Sequence, residues 1–132
     1  MNSLQGMAVR LELFVEDTKR SKEFYTIVLG FQEVRCNPEH DYHAFKRDEV
    51  QIGIGSTKRL SENHYFRPEV SQDRKGLGIE IVLEVDDIKK LHEEVAKNDY
   101  PIAEPLTKQS WGLTDFRIVD PDGYYLRFTS RQ

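Results

Sequence analysis

The chain has 132 residues, 38% of them hydrophobic and 32% charged, with only 8 Gly and 5 Pro. This is the composition of one globular domain or two small half-domains with a common core, and it excludes a disordered, collagen-like or low-complexity chain. The apolar runs are too short to cross a bilayer, and the balance of 19 Lys plus Arg against 23 Asp plus Glu leaves a net charge of −4, without the basic stripe of a nucleic-acid binder.

Residues 1–8 read as an N-terminal extension. They lack the basic and apolar regions of a secretory signal. The single cysteine, Cys36, cannot form an internal disulfide. Both features predict a cytoplasmic protein, in which Cys36 is an ordinary strand residue without a neighbouring base to activate it.

From residue 9 the chain alternates, with Val9, Leu11, Leu13 and Val15 on one face, which predicts a half-buried strand. Asp17 is a helix N-cap, and Ser21, Phe24, Tyr25 and Val28 form the buried stripe of a helix that ends at Leu29-Gly30. Strands follow at 31–36, 41–47 and 50–55, with a tight turn near Asp48-Glu49. The polar segment 56–78 reads as a linker containing Asn63, Pro68 and Gly76-Leu77-Gly78, with Tyr65 and Phe66 as its bulky anchors.

The pattern then repeats at an offset of seventy residues. Ile79, Ile81, Leu83 and Val85 match the first strand, Asp87 matches Asp17, and Glu93 matches Glu23. A second helix buries Ile88, Leu91 and Val95 and stops near Asn98. Strands are predicted at 101–104, 114–119 and 124–130, the last two joined by the turn Asp120-Pro121-Asp122-Gly123. The chain therefore divides into two βαβββ modules, at 9–55 and 79–132.

Strand parity also predicts a polar face opposite the helices. Arg10, Glu12 and Phe14 lie on it from the first strand, and Gln51, Gly53 and Gly55 from the module's last, where the glycines would leave open volume. Glu80, Val82 and Glu84, with Tyr125, Arg127 and Thr129, supply the second module. The candidate ligand-binding residues are Arg10, Glu12, Phe14, Glu80, Glu84, Trp111, Tyr125 and Arg127. The two arginines are expected to pair with Glu12, Glu80 or Glu84, because charges withdrawn from water need partners. Trp111, in a loop ahead of a strand, could stack on a planar ligand or a cation, or could simply pack. His40 and His43 are three apart on or near a strand and point to opposite faces, so one metal cannot readily take both. His64 and His92 read as loop and helix-edge residues.

Two such modules, with Val15-Glu16-Asp17, Phe24-Tyr25, Leu29-Gly30-Phe31, Glu84-Val85-Asp86-Asp87, Trp111-Gly112 before Phe116, and Asp120-Pro121-Asp122-Gly123, resemble the vicinal oxygen chelate superfamily. This group contains glyoxalase I, extradiol dioxygenases and bleomycin-resistance proteins, and the Trp111-Gly112 piece is most similar to the bleomycin-resistance branch. The resemblance implies an α+β fold in which two βαβββ modules form a cleft between curved mixed sheets, usually completed in a homodimer. In the family's metalloenzymes, four strand positions supply His, Gln or Glu ligands. Here those slots hold Arg10, Gly53, Glu80 and Arg127, and guanidinium offers no lone pair to a cation.

The expectation is a metal-free, cofactor-free sequestering protein for a cationic or aromatic small molecule, a homodimer with no nucleic-acid or membrane partner. A metal-dependent lyase or dioxygenase using Glu80 with Glu12 or a displaced His is the alternative. A pocket serving only dimerisation or a protein partner is the third.

Overall fold

A computed structural model describes residues 3–67 and 74–131. Pro68 of the expected linker lies outside the described residues. Strand β1 (Leu11–Val15) buries Leu13 and Val15 and leads into helix α1 (Thr18–Glu23). The Asp17 carboxylate accepts from the Arg20 amide at 3.2 Å, satisfying one of the donors that a helix start leaves without a partner. The helix widens into a π turn over Phe24–Val28, where the Leu29 amide donates to the Phe24 carbonyl at 3.2 Å. Gly30, at φ +69°, then reverses the chain.

β2 (Gln32–Asn37), β3 (Tyr42–Arg47) and β4 (Val50–Ser56) complete the first module. The second module repeats it: β5 (Glu80–Val85), α2 (Ile88–Lys97, capped by Asp87), β6 (Glu104–Lys108), β7 (Thr114–Val119) and β8 (Tyr125–Ser130). The sheets run β1-β4-β3-β2 and β5-β8-β7-β6, and in each the first strand lies parallel to the last. The pairing is equivalent in both: Leu11 faces Ile52 where Ile81 faces Leu126. Gly53 and Arg127, each one residue further along, thus occupy corresponding places.

α1 lies over β3 and β4, and α2 over β7 and β8. Their buried faces join one core, in which Phe45, Phe116, Ile52, Ile118 and Leu126 are almost fully enclosed. No helix among the described residues is long and apolar enough to cross a membrane.

Two expectations need correction. The strand expected at 101–104 is Glu104–Lys108. Pro101 has no amide to donate, and pairing starts only where the Ala103 amide reaches the Arg117 carbonyl at 2.8 Å. β6 is a sheet edge with a register shift between Glu104 and Thr107, which is why Pro105 is accommodated within it. Tyr65 is not an anchor: it is 91% exposed and meets Phe66 edge-on at 6.1 Å, whereas Phe66 packs edge-on to Phe14 at 5.4 Å.

The Asp120-Pro121-Asp122-Gly123 turn closes with the Gly123 amide donating to the Asp120 carbonyl at 3.1 Å. It also joins the modules. The Asp122 carboxylate accepts from the Glu16 amide at 2.9 Å and the Ser21 hydroxyl at 3.3 Å, and Asp120 accepts from the Tyr25 hydroxyl. The Tyr124 hydroxyl donates to the Phe14 carbonyl at 2.9 Å. A turn motif whose local role is to reverse the chain is therefore also the polar bolt holding the first module against the second.

Candidate functional site

The face of the second sheet away from α2 carries a charge network. Because Phe116 and Ile118 enter the core, Asp115 and Arg117 of β7 must point the other way, beside Arg127 of β8 and Glu80 of β5. Glu80 accepts from Arg117 Nε at 3.0 Å and from Arg127 Nη1 at 3.4 Å. Asp115, 1% exposed, accepts from Gln109 Nε2 at 2.8 Å. Arg127 Nε lies 3.2 Å from Asp115 Oδ2, but the N–H is misaligned, so the contact is an ion pair rather than a hydrogen bond. The Glu80 hydrogen bond holds the Arg117 guanidinium even more firmly protonated than usual. The Arg127 guanidinium lies over the Trp111 ring, 5.6 Å from its centroid.

The first module's face is built differently. Arg10 Nε pairs with Glu12 at 2.9 Å, and the Tyr42 hydroxyl donates to the same carboxylate at 2.9 Å. Burial, then the hydrogen bond to Glu12 and its charge, push the Tyr42 phenol up. Gly53 does not leave open volume as expected: a Cβ there would collide with the Glu12 carboxylate and the Tyr42 hydroxyl, which fill the space. Gly55 does border space. With Phe14, Tyr42, His40, Arg59 and Leu60 it lines a cavity of about 280 Å³. A larger groove of about 670 Å³ runs from Glu12 and Phe14 past Phe66 to Leu77, Ile79 and Tyr124.

The eight residues singled out from sequence thus fall into two sets. Arg10, Glu12 and Phe14 share the first face, and on the second Arg127 meets both Glu80 and Trp111. Tyr125 and Glu84 lie on that second sheet face, paired with Glu80 and Thr129. Among the described residues no polar contact joins the two sets. The expected partners of the arginines are found, Arg10 with Glu12 and Arg127 with Glu80. Tyr42, Asp115 and Arg117 were missed, although strand parity around Phe45, Phe116 and Ile118 already placed all three on these faces.

The histidines are dispersed. His40 lines the small cavity, His64 packs on Phe14 and Phe66, and His92 stands edge-on to Phe116. His43 points to the opposite face from Tyr42. Cys36 lies in a strand as expected, but it does have a base beside it, because antiparallel pairing sets His43 directly across from it.

The family metal slots do not fit a cation. Two hold guanidinium groups and one has no side chain. The single carboxylate, Glu80, is already held by two arginines.

Residues 8–128 match the family model described as Glyoxalase/Bleomycin resistance protein/Dioxygenase superfamily. No functionally curated protein matches the sequence significantly. Among solved structures, a glyoxalase/bleomycin resistance protein/dioxygenase from Nocardioides superposes with a TM-score of 0.78 at 17% identity, over 98% of this chain and 85% of that one. A protein of unknown function from Agrobacterium tumefaciens str. C58 gives 0.76 at 26% identity, over 98% of both chains. TioX from Micromonospora sp. ML1 gives 0.74 at 18%, over 96% of this chain and all of that one. With its family model spanning both modules and its duplicated βαβββ topology, the chain belongs to the glyoxalase/bleomycin resistance protein/dioxygenase superfamily.

Proposed function

We propose that the protein is a resistance-type small-molecule binder that sequesters its ligand in a cleft working without a metal. The observation that carries this reading is Arg127. It fills a ligand slot of the family's metalloenzymes with a permanent positive charge and is held there by Glu80 and Asp115. The acids of the two faces are largely matched: Glu12 by Arg10, and Glu80 and Asp115 by Arg117 and Arg127. That balance favours a planar, hydrogen-bonding aromatic ligand, with cationic charge secondary. Phe14, Tyr42 and Trp111 would supply the stacking surfaces.

The proposal includes a homodimer. Among the described residues no polar contact joins the two faces, and Val9, Ile79 and Val82 are exposed beside the edge strands β1 and β5. A second copy would cover these side chains and complete the cleft.

The test has two arms. Thermal-shift screening against planar aromatic compounds should raise the melting temperature by about 5 °C at saturation. Calorimetric titration of the Cys36→Ser protein with nickel, zinc, manganese and iron(II) should show no binding that Glu80→Gln removes. Stoichiometric binding lost in Glu80→Gln would overturn the reading in favour of a metal-dependent lyase or dioxygenase. No response to either ligands or metals would favour a partner-only role. Sedimentation as a monomer at micromolar concentration would remove the dimer.

A further inference from the structure

On the helix side of the first sheet, away from the cleft faces, β2 and β3 bring three different metal-binding side chains together. Donor atoms of Glu33, Cys36 and His43 all lie within 4.8 Å of one another. The pairing explains the convergence. Cys36 sits directly across from His43, and a register shift between Glu33 and Arg35 lets Glu33 return to the same spot.

The imidazole of His43 is the unusual element. Its Nδ1 lies 2.8 Å from Glu33 Oε2, and its Nε2 lies 3.3 Å from Asp41 Oδ1. A neutral imidazole has one N–H, so it can donate to only one of these carboxylates. The other contact sets a lone pair against a carboxylate oxygen unless a cation or a second proton occupies it. A metal ion there would leave Nε2–H donating to Asp41, the carboxylate arrangement that commonly orients a ligating histidine. Asp41 is itself fixed by the Thr18 hydroxyl at 2.8 Å. Lys22 takes the other oxygen of Glu33, Oε1, at 3.1 Å, and leaves Oε2 turned toward the ring.

We propose that Glu33 Oε2, the Cys36 thiolate and His43 Nδ1 form a binding site for one thiophilic divalent cation of the zinc class. One sulfur, one nitrogen and one oxygen donor suit zinc, with water in the fourth position. Tetrahedral zinc needs nitrogen and oxygen ligands about 3.3 Å apart, given bonds of about 2.0 Å to each. Opening the His43–Glu33 contact from 2.8 Å by about half an ångström therefore admits the ion. Cys36 is exposed and gives it a path from solvent, while the His43 side chain is only 15% exposed. The site is independent of the cleft and would tie β2 to β3 close to the start of α1.

The experiment is titration of the full chain with cobalt(II), as a spectroscopic stand-in for zinc, under a non-thiol reductant. A one-to-one complex with thiolate-to-cobalt charge-transfer absorption is expected, displaced by zinc. Cys36→Ser should abolish that absorption, His43→Gln should weaken binding at least 100-fold, and Asp41→Asn should weaken it about tenfold. Glu80→Gln should change nothing, which separates this site from the cleft reading. Absence of cobalt or zinc binding, or a complex whose charge-transfer band survives Cys36→Ser, would overturn the proposal. Circular dichroism of each variant distinguishes loss of a ligand from loss of the fold.

Discussion

The Tyr25 hydroxyl donates to the Asp120 carboxylate at 2.8 Å, from the helix of the first module to the hairpin of the second, with both groups shut away from water. Burial pushes the Asp120 carboxyl up to about 6, against its usual 3.8, even though it accepts hydrogen bonds from Tyr25 and from the amides of Tyr124 and Asp122. Burial first, then the Asp120 charge, drives the Tyr25 phenol upward as well. The joint between the modules is thus held by a carboxylate that resists ionising.

The sign of the pH effect follows. A carboxyl whose folded value is raised contributes stability that is fully present below about 3.8 and is lost as the pH rises through about 6. The shift corresponds to at most about 3 kcal/mol. Asp120→Asn keeps an oxygen for the two amides and removes the titration. Its unfolding free energy, minus that of the wild type, should therefore increase by about 2 kcal/mol between pH 4 and pH 7 in urea melts. A constant difference would refute the assignment.

Two glycines in turns should respond unequally to alanine. Gly123 has φ +98°, and a Cβ there would come within 2.9 Å of Arg74 Cα and 3.0 Å of the Lys75 amide nitrogen. Gly112 has φ +97° with nothing within 4 Å of such a Cβ. Gly112→Ala should cost only the backbone strain of about 1–2 kcal/mol. Gly123→Ala must also displace main chain at the inter-module joint and should cost at least about 1 kcal/mol more. Equal midpoints in urea would show that the segment at Arg74 yields freely.

Both the repeat and the alternation could be read directly, because hydrophobic residues at period 2 and the two Asp N-caps are local signals. Long-range placement was less accessible. Parity put Glu12 and Gly53 on one face, but only their cross-strand register shows that the carboxylate and Tyr42 occupy the space above the glycine. Cys36 and His43 meet because of the β2–β3 register, with the shift at Glu33 to Arg35 completing the cluster. Neither a hairpin offset nor a bulge can be counted reliably from residue types. Asp120 and Asp122 were read as turn formers, and their contacts with residues about a hundred positions away carry no local signature.

Gly53 offers a test of that close approach. Gly53→Ala forces the Glu12 and Tyr42 side chains aside rather than the backbone, so it should cost about 1 kcal/mol, the worth of the hydrogen bond between them. Tyr42→Phe should cost a similar amount. The double variant should be clearly less destabilised than the sum, since both changes remove one interaction. Strict additivity in chemical denaturation would show that the alanine acts through the strand itself.

The two arginines in the family metal slots should differ sharply. Arg10 is 62% exposed and pairs with the Glu12 carboxylate at the surface, so Arg10→Met should cost less than about 1 kcal/mol. Arg127 is 19% exposed and faces Asp115, which is 1% exposed, as well as Glu80. Arg127→Met withdraws one of the two guanidiniums that offset those acids and should cost about 3 kcal/mol. Trp111, the only tryptophan in the chain, lies against Arg127 and reports the change directly. Its emission should shift and become more accessible to iodide in Arg127→Met, and should stay unchanged in Arg10→Met. If Arg127→Met melts like the wild type with unaltered emission, the network around Glu80 is only a solvated surface, and Arg127 is not what closes the slot to a cation.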